Sequence, residues 1–533
     1  MTTTAVEPFS LRDAPALIER LLPVQKLSAE SYKEQMAVQG KTLTALGNYW
    51  KGRKPLILAK ACVLGCLLPA TDDLAKDLEI FELLMGMDRE ALRLRLEAKN
   101  DKESRALFQR TFAVAADAPY REWVEAACRT EECGDEVFDH IWNAVNAHLG
   151  TAATSFPELV EQLGIMRFGL RPQVADTFCG SGQIPFEAAR LGCDVYASDL
   201  SPVACMLTWG ALHIVGGSLD NLQQLNRYQR SIAQQTLEAV DELGVETDGH
   251  GWRAKAFLYC AEVRCPQTGW MVPLLPTRVI SKGSRAIAQL MPDAERRRYE
   301  IIVRTGVEPD EFAAAEIGTV RTDGRGQEPY LTHVVDGVEY RTKISTLRGD
   351  YRQADGTIGN RLRLWEKHDY VPRPDDIFQE RLYCVQWMRP KKKGRGCDYA
   401  FRTVSAADLE RERLVAQIVS DRLPVWQKQG CVPDTRIEPG DKTDEPIRTR
   451  GWTHWHHLFN PRQLLIAALA NQHSDARLKI GLMQMLNANS RLSRWSVGDG
   501  DGRSGGVKQV FDNQALNTLF NYGTRGGASK SCQ

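Results

Sequence analysis

The strongest pattern in this sequence is the stretch Val174-Ala-Asp-Thr-Phe-Cys-Gly-Ser-Gly-Gln-Ile-Pro-Phe-Glu-Ala-Ala-Arg-Leu-Gly-Cys-Asp-Val-Tyr-Ala-Ser-Asp199. Its residue types predict a strand over 174–178, a tight turn over 179–182, a helix over 185–191 and a second strand over 194–198. A strand, a helix and a second strand in this order form one βαβ unit with parallel strands. The stretch therefore predicts the α/β class.

The turn has the features of a site for a nucleotide-like ligand. Gly180 and Gly182 leave the backbone without side chains, so that a ligand can come close to it. Asp199 follows Gly180 by 199 − 180 = 19 residues. At the end of a second strand, an acid can accept hydrogen bonds from ribose hydroxyls. The alternative is a glycine turn that binds no ligand.

The residues around the turn favour one class of cofactor. Dinucleotide-binding turns usually have the pattern Gly-x-Gly-x-x-Gly, but the third glycine position here is Pro185. Asp176, which precedes the glycines, would repel a phosphate and attract an ammonium group. The sequence therefore predicts S-adenosylmethionine as the cofactor.

The spacing of apolar residues and the local composition change three times along the chain, which indicates four domains. They are a helical N-terminal domain (1–150), a Rossmann-like cofactor-binding core with an incomplete sheet (151–250), a strand-rich insertion (251–405) and a helical C-terminal region (406–533). Within the insertion, the charged residues 294–316 are predicted to form a helix. Asn460 and Pro461 are a helix-start signal in the last region.

The composition limits the class of protein. The 533 residues include 68 Lys plus Arg and 68 Asp plus Glu, so any contact with nucleic acid must use local patches of charge. The N-terminus does not resemble a secretory signal, and the longest apolar run falls short of the roughly 20 residues that span a bilayer. Thirteen scattered cysteines are typical of reduced thiols. We therefore expect a cytoplasmic protein with no membrane partner.

Beyond these patterns, the stretch from Asp176 resembles the cofactor motif of amino-group DNA methyltransferases. More narrowly, it is similar to the large bacterial adenine-specific methylases of phage-defence loci, which carry an N-terminal domain of uncharacterised function. Four further segments fit the narrower family in combination: Leu17-Ile-Glu-Arg-Leu-Leu-Pro23, Tyr49-Trp-Lys-Gly-Arg-Lys-Pro-Leu56, Cys265-Pro-Gln-Thr-Gly-Trp-Met-Val-Pro-Leu274 and Leu458-Phe-Asn-Pro-Arg-Gln-Leu-Leu465.

The resemblance implies roles for individual residues. The methionine part of the cofactor would be surrounded by Asp176, Phe178, Gly180, Ser181 and Gly182, and the ribose would be held by Asp199. The segment Lys54-Pro55-Leu56 is similar to one that lies against the cofactor carboxylate in many such enzymes, although there it is closer in sequence to the glycine turn.

One departure from the family concerns the catalytic motif. Amino methyltransferases use Asp or Asn followed by Pro-Pro and an aromatic residue, which accept hydrogen bonds from the target amine and stack on the flipped base. This sequence has 24 prolines and no Pro-Pro pair. In the family, the motif lies downstream of a segment similar to 513–522. We therefore expect the catalytic portion to be supplied by a separate chain or lost by truncation, and the catalytic residues are unknown.

Four cysteines are candidate metal ligands. Cys260 and Cys265 have nearly the spacing of a zinc knuckle, and the family often has a zinc ribbon in this region. The second pair, Cys384 and Cys397, has twelve residues between its members, which is a poor match to the short cysteine spacing of a zinc ribbon. The alternative to a zinc site is a set of ordinary buried thiols.

The densest basic run is the candidate DNA contact. It contains Lys391, Lys392, Lys393 and Arg395, with Trp387 before it and Tyr399 after it. Such cations can neutralise phosphates and release counterions, but a solvated surface loop has the same composition.

Together these observations predict an S-adenosylmethionine-dependent DNA adenine methyltransferase of restriction-modification or phage defence, or the cofactor-binding portion of one. The methyl group would pass directly to the exocyclic amine, with proximity and orientation as the main source of catalysis. One alternative is a non-catalytic subunit that binds cofactor or DNA in a methylation or phage-defence complex. A second alternative is a methyltransferase for RNA or a small molecule.

Overall fold

The structure is a computed structural model that describes residues 6–36, 52–99, 101–110, 119–391, 396–498, 505–510 and 516–527. It is mixed α/β, as predicted. The chain divides into two compact units, Met1–Leu225 and Asn226–Gln533. The finer division into four domains stays a prediction.

The first unit is helical before a short parallel sheet. Its elements are α1 (Val24–Met36), α2 (Leu56–Leu67), α3 (Leu74–Leu84), α4 (Arg89–Lys99), α5 (Lys102–Phe108), α6 (Tyr120–Ala126), α7 (Trp142–Leu149), α8 (Phe156–Phe168), β1 (Gln173–Asp176), α9 (Gln183–Arg190), β2 (Asp194–Ala197) and α10 (Pro202–Gly210). Helix α11 (Leu219–Glu242) follows and crosses the boundary between the units.

The core of the first unit surrounds α2. This helix has the sequence LILAKACVLGCL, which is apolar nearly all round, and such helices are buried. Ile57, Ala61 and Leu64 lie in one buried cluster with residues of the neighbouring helices. Ala188 and Leu191 belong to the same cluster, so the βαβ unit is anchored on the helical core.

The predicted βαβ unit is confirmed. Strands β1 and β2 pair in parallel, with Gln173 opposite Asp194 and Asp176 opposite Ala197, and α9 connects them. Among the described residues these two strands form a sheet of their own.

The second unit contains most of the strands. Its elements are β3 (Arg253–Arg264), β4 (Met271–Leu274), β5 (Val279–Ser281), β6 (Ala286–Asp293), β7 (Arg298–Arg304), α12 (Pro309–Ala315), β8 (Val320–Arg321), β9 (Tyr330–Val335), β10 (Val338–Lys343), α13 (Ile344–Arg348), β11 (Tyr351–Arg352), β12 (Ile358–Gly359), β13 (Phe378–Pro390), β14 (Cys397–Thr403), α14 (Ala406–Lys428), α15 (Asp444–Arg450), α16 (Pro461–Gln472), α17 (Ala476–Asn487), β15 (Trp495–Ser496), β16 (Gly506–Val507) and β17 (Asn521–Arg525).

An eight-stranded sheet organises this unit. Its order is β14-β13-β3-β4-β7-β6-β5, and β17 also pairs with β3. The pairing is antiparallel except between β4 and β7. The predicted helix over 294–316 is partly wrong, because Arg298–Arg304 is strand β7 and only Pro309–Ala315 is helical. Strand β7 alternates exposed and buried residues, and this period of two outweighs the charged composition.

Helix lengths also bear on the membrane prediction. Among the described residues, no single helix has both the length and the apolar composition to cross a membrane. One bent pair, Pro202–Val215 and Asp220–Glu242, meets those two criteria only when its helices are taken together.

A buried lysine makes the stability of the first unit depend on pH. Lys60 of α2 is 3% exposed, and its Nζ lies 3.9 Å from the ring centre of Phe156 and 4.4 Å from that of Phe138. Burial lowers the pKa of Lys60 from 10.5 to about 7, since a desolvated ammonium group is disfavoured.

We expect the free energy of unfolding to rise between pH 7 and pH 10. In this range the unfolded chain binds a proton at Lys60 that the folded chain has released, so a higher pH favours folding. Lys60→Met should reduce this rise, leaving the smaller part that comes from Lys33, whose pKa burial lowers to about 8. Lys76→Met, at a half-exposed position of α3, should keep the full rise. Urea unfolding at pH 7 and pH 9.5 checks the prediction, and an equal pH effect in wild type and Lys60→Met would contradict it.

Candidate functional site

The glycine turn lies against the residues that follow β2. Backbone pairing continues past both strands, because Ser198 N donates to Asp176 O at 3.0 Å and Cys179 N donates to Ser198 O at 3.0 Å. Asp176 therefore ends β1 beside the segment that carries Asp199. In parallel sheets, ligands bind outside the carboxyl ends of the strands, which is where both acids lie.

Asp199 and Gly180, which are 19 residues apart in sequence, are brought together by the fold. One carboxylate oxygen of Asp199 accepts the N–H of Gly180 at 2.9 Å, and the other accepts that of Ser201 at 2.8 Å. The Ser201 and Gly180 N–H groups hold the pKa of Asp199 below its ordinary value, so the group is charged at neutral pH. Each oxygen retains a lone pair that can accept a ribose hydroxyl.

Both glycines have backbone angles that favour glycine. Gly180 has φ +52° and Gly182 has φ +82°. A Cβ at Gly182 would lie 2.8 Å from the Cα of Thr208 on α10. The Thr208 hydroxyl also donates to Gly180 O at 3.2 Å. The space that was expected for a ligand at Gly182 is thus filled by Thr208, a residue that the sequence did not single out.

The other residues of the turn differ in exposure. Phe178 is 86% exposed, and its N–H donates to an Asp176 carboxylate oxygen at 3.1 Å. Ser181 is buried, with its hydroxyl bonded to the side chain of Gln183 at 2.8 Å. The Phe178 ring is therefore available to a ligand, while the Ser181 hydroxyl is engaged within the protein.

The Lys54 segment reaches the same end of the βαβ unit. Lys54 and Pro55 directly precede α2, with Pro55 as its N-cap. The next residue, Leu56, packs in one cluster with Phe186 of α9 and Ala211. Since Phe186 is in the first turn of α9, the start of α2 lies at the glycine-turn end, and the role of Lys54 toward a cofactor stays a prediction.

An acid that sequence reasoning missed occupies the start of α2. The Glu34 carboxylate accepts the N–H of Leu56 at 2.8 Å and that of Ile57 at 3.2 Å. Burial raises the pKa of Glu34 to about 7. These two N–H groups are thus taken by the protein's own carboxylate, so the predicted contact with a cofactor carboxylate depends on the side chain of Lys54.

The structure does not bring the four candidate zinc ligands together. Cys260 and Cys384 share one core cluster, and Cys265 lies in another. Cys397 begins β14, six residues before Thr403, which is opposite Cys384. At 3.3 Å per residue this separation is about 20 Å. Within the described ranges, no group of three or more His, Cys, Asp or Glu side chains is arranged to hold a metal ion.

The basic run joins two strands of the large sheet. Lys391 follows β13, and its N–H donates to Gly396 O at 3.1 Å before β14 begins. Three of the predicted contacts, Lys392, Lys393 and Arg395, lie outside the described residues. Trp387 is buried, whereas Tyr399 is 46% exposed. The ring centre of Tyr399 lies 4.3 Å from the Nζ of Lys255.

A family described as "Protein of unknown function (DUF1156)" matches residues 21–84. This part of the chain is therefore similar to a domain of unknown function, in agreement with the expected uncharacterised N-terminal domain. The chain matches no curated protein and no solved structure.

Proposed function

We propose that this chain is the S-adenosylmethionine-binding part of a bacterial DNA adenine methyltransferase. One observation carries the proposal: the carboxylates of Asp176 and Asp199 flank a glycine turn at the carboxyl ends of two parallel strands. The match of residues 21–84 to a domain of unknown function is compatible with the phage-defence methylases that the sequence resembles.

The residues at the turn fit this cofactor. S-adenosylmethionine, when bound, supplies an electrophilic methyl group on a positively charged sulfur. Asp199 would accept the ribose hydroxyls, and Asp176 would attract the ammonium group of the methionine part. The exposed ring of Phe178 offers an apolar contact, and Lys54 a cation for the carboxylate.

The missing motif limits what the chain does alone. The sequence has no Asp/Asn-Pro-Pro-aromatic motif to hold the target amine. We therefore propose that methyl transfer to DNA needs a catalytic segment with this motif that these 533 residues do not contain. The absence of the motif equally favours a second candidate, a cofactor-binding subunit without catalytic residues of its own. The basic hairpin between β13 and β14 is the proposed DNA contact, and zinc is not part of the proposal.

Calorimetry with S-adenosylmethionine tests the proposal. Wild type should bind the cofactor, and Asp199→Ala should weaken binding by about tenfold or more, since a charge-assisted hydrogen-bond pair contributes about 1.5–3 kcal/mol. Asp194→Ala is the matched control, because Asp194 is an exposed acid at the opposite end of β2. Absence of binding by wild type, or equal binding by all three proteins, would contradict the proposal.

A further inference from the structure

Lys60 of α2 lines a cavity of about 300 Å³ in the first unit. The floor of the cavity contains Lys60 and Leu191, which are both buried. Its mouth is formed by exposed residues, among them Asp135, Asp139 and Thr154. A cavity of this volume can hold a small organic molecule. The Lys60 amine is therefore positioned to meet a ligand that enters from solvent.

The Lys60 amine has no acidic partner within the described part of the chain. There its Nζ forms no hydrogen bond and no ion pair, and its close neighbours are the rings of Phe138 and Phe156. Burial lowers the pKa of Lys60, and Glu187, the acid that opposes this shift most, is paired with Arg190 by two hydrogen bonds of 2.8 Å. Lysine is rarely buried to this extent unless it is paired, so the position of Lys60 indicates a ligand.

The parts of the first unit outside the described ranges offer few alternative partners for this amine. Their sequences contain a single acid, Asp117. An Asp117→Asn variant therefore tests whether this carboxylate, rather than a ligand, is the partner of Lys60.

The charges around the cavity disfavour an anionic ligand. Asp135 and Asp139 both line it. The positive charge of Arg190, the other cation among the described lining residues, is compensated by Glu187. A phosphate, a carboxylate or the carbamate formed from carbon dioxide would lose water and approach two acids. The half-buried ring of Trp142 instead offers a contact to an uncharged, partly apolar molecule.

We propose that Lys60 captures a small uncharged aldehyde in this cavity by forming an imine with it. The Nζ lone pair forms a bond to the carbonyl carbon, and one N–H proton passes to the carbonyl oxygen. The C–O bond then breaks, and the oxygen leaves as water with the second N–H proton, so that a C=N double bond remains. The step needs no oxidant and no reductant.

The surroundings of Lys60 activate its amine for this step. Only the neutral amine is a nucleophile, and a lysine in an apolar pocket is activated by a lowered pKa. Burial lowers the pKa of Lys60 to about 7, so about half of the molecules hold the neutral amine at pH 7. In an ordinary lysine, with a pKa of about 10.4, fewer than about one molecule in a thousand does.

The cavity is separate from the glycine turn. Arg190 is the last residue of α9 and Leu191 is its C-cap, whereas the turn precedes the first residue of this helix. The eight residues of α9 span about 12 Å. An aldehyde bound in the cavity would lie apart from the proposed cofactor, so this site goes beyond the proposed function and does not rest on it. Lys60 lies within residues 21–84, which gives the domain of unknown function a reactive amine.

Reductive trapping tests the site. The full chain is incubated with benzaldehyde at pH 9, a pulse of borohydride reduces any imine to a stable secondary amine, and peptide mapping by mass spectrometry locates it. Lys33 is the matched control, because burial lowers its pKa to about 8 but its Nζ donates to the carbonyls of Val124 and Ala127. Both amines are mostly neutral at pH 9, so a difference between them reports the cavity. We expect Lys60 to react about fivefold or more faster than Lys33, and about tenfold or more faster than the half-exposed Lys76.

A charged probe and a set of variants separate the site from general reactivity. The anion 4-carboxybenzaldehyde should modify Lys60 about tenfold more slowly than benzaldehyde, and Asp139→Asn should narrow this ratio about threefold, because it removes a like charge from the mouth. Lys60→Arg and Lys60→Met remove the nucleophile, so each variant that keeps the wild-type circular dichroism should lose the fast-reacting amine. Asp117→Asn should leave the rate at Lys60 unchanged.

Four outcomes would overturn the proposal. They are a rate at Lys60 no higher than that at Lys33, equal rates with the two aldehydes, a fast-reacting amine that survives in a folded Lys60 variant, and a faster reaction in Asp117→Asn, which would identify Asp117 as the partner of Lys60. Selective modification of Lys60 without cofactor binding contradicts the proposed function alone. Cofactor binding without selective modification leaves the proposed function in place and removes this site.

Discussion

Replacing Arg491 by methionine is expected to lower the free energy of unfolding by about 3–5 kcal/mol, because it breaks a buried ion pair. Arg491 is 1% exposed. Its guanidinium donates to both oxygens of Glu380, at 3.0 and 2.9 Å, and to the carbonyls of His457 and Phe459, both at 2.7 Å, and of Tyr370 at 3.0 Å. The side chain thus joins segments that are 32 to 121 residues away in sequence.

Denaturant unfolding of Arg491→Met and Arg491→Lys checks this expectation. The lysine variant should recover little stability, since an ammonium group cannot reproduce the planar fork that reaches all these acceptors. Arg477→Met is the control, because Arg477 and Asp475 form a 2.6 Å pair with side chains 43% and 33% exposed. Such a pair contributes about 0–1 kcal/mol. Equal losses in Arg491→Met and Arg477→Met would contradict the assignment.

Features encoded within a few residues could be predicted from the sequence. The βαβ unit follows from one continuous stretch, because strand, turn and helix signals are local. The helix start at Asn460 is also local: its side chain accepts the N–H of Gln463 at 2.9 Å, and α16 begins at Pro461. The position of Asp199 beside Gly180 follows from the geometry of any such unit.

Features that depend on tertiary contacts could not be predicted. Glu34 caps α2 from 22 residues away, and nothing in the local sequence marks it as a capping residue. Thr208 fills the space beside Gly182 only because α10 packs on the turn. The cysteine spacing suggested a metal site, but the strand register determines which thiols meet.

The helix expected over 294–316 is also partly wrong because of tertiary contacts. The charged composition favoured an exposed helix, yet Arg298–Arg304 pairs with β6 and alternates its side chains across the sheet. Propensity is a weak guide where a neighbouring strand supplies the backbone hydrogen bonds. The separation of the chain into units at 225/226, within α11, likewise has no local signal in the sequence.

Replacing Gly182 by alanine is expected to weaken S-adenosylmethionine binding by about thirtyfold or more. The new Cβ would lie 2.8 Å from the Cα of Thr208, a backbone atom that moves only if α10 moves. Overpacking of this kind costs about 1–3 kcal/mol, beyond the left-handed strain of about 1–2 kcal/mol. The intact turn then becomes a minor conformation, and ligand binding must restore it.

Gly150→Ala is the control that separates left-handed backbone strain from the steric contact with Thr208. Gly150 ends α7 with φ +67°, and nothing lies within 4 Å of its Cβ position, so this variant carries the strain alone. We expect Gly150→Ala to lose some stability and to bind the cofactor as wild type does. Calorimetry and thermal unfolding on both variants give the comparison. If Gly182→Ala bound the cofactor with unchanged affinity, the ligand would not depend on the turn that Thr208 supports, and the placement of the cofactor between Asp176 and Asp199 would have to be abandoned.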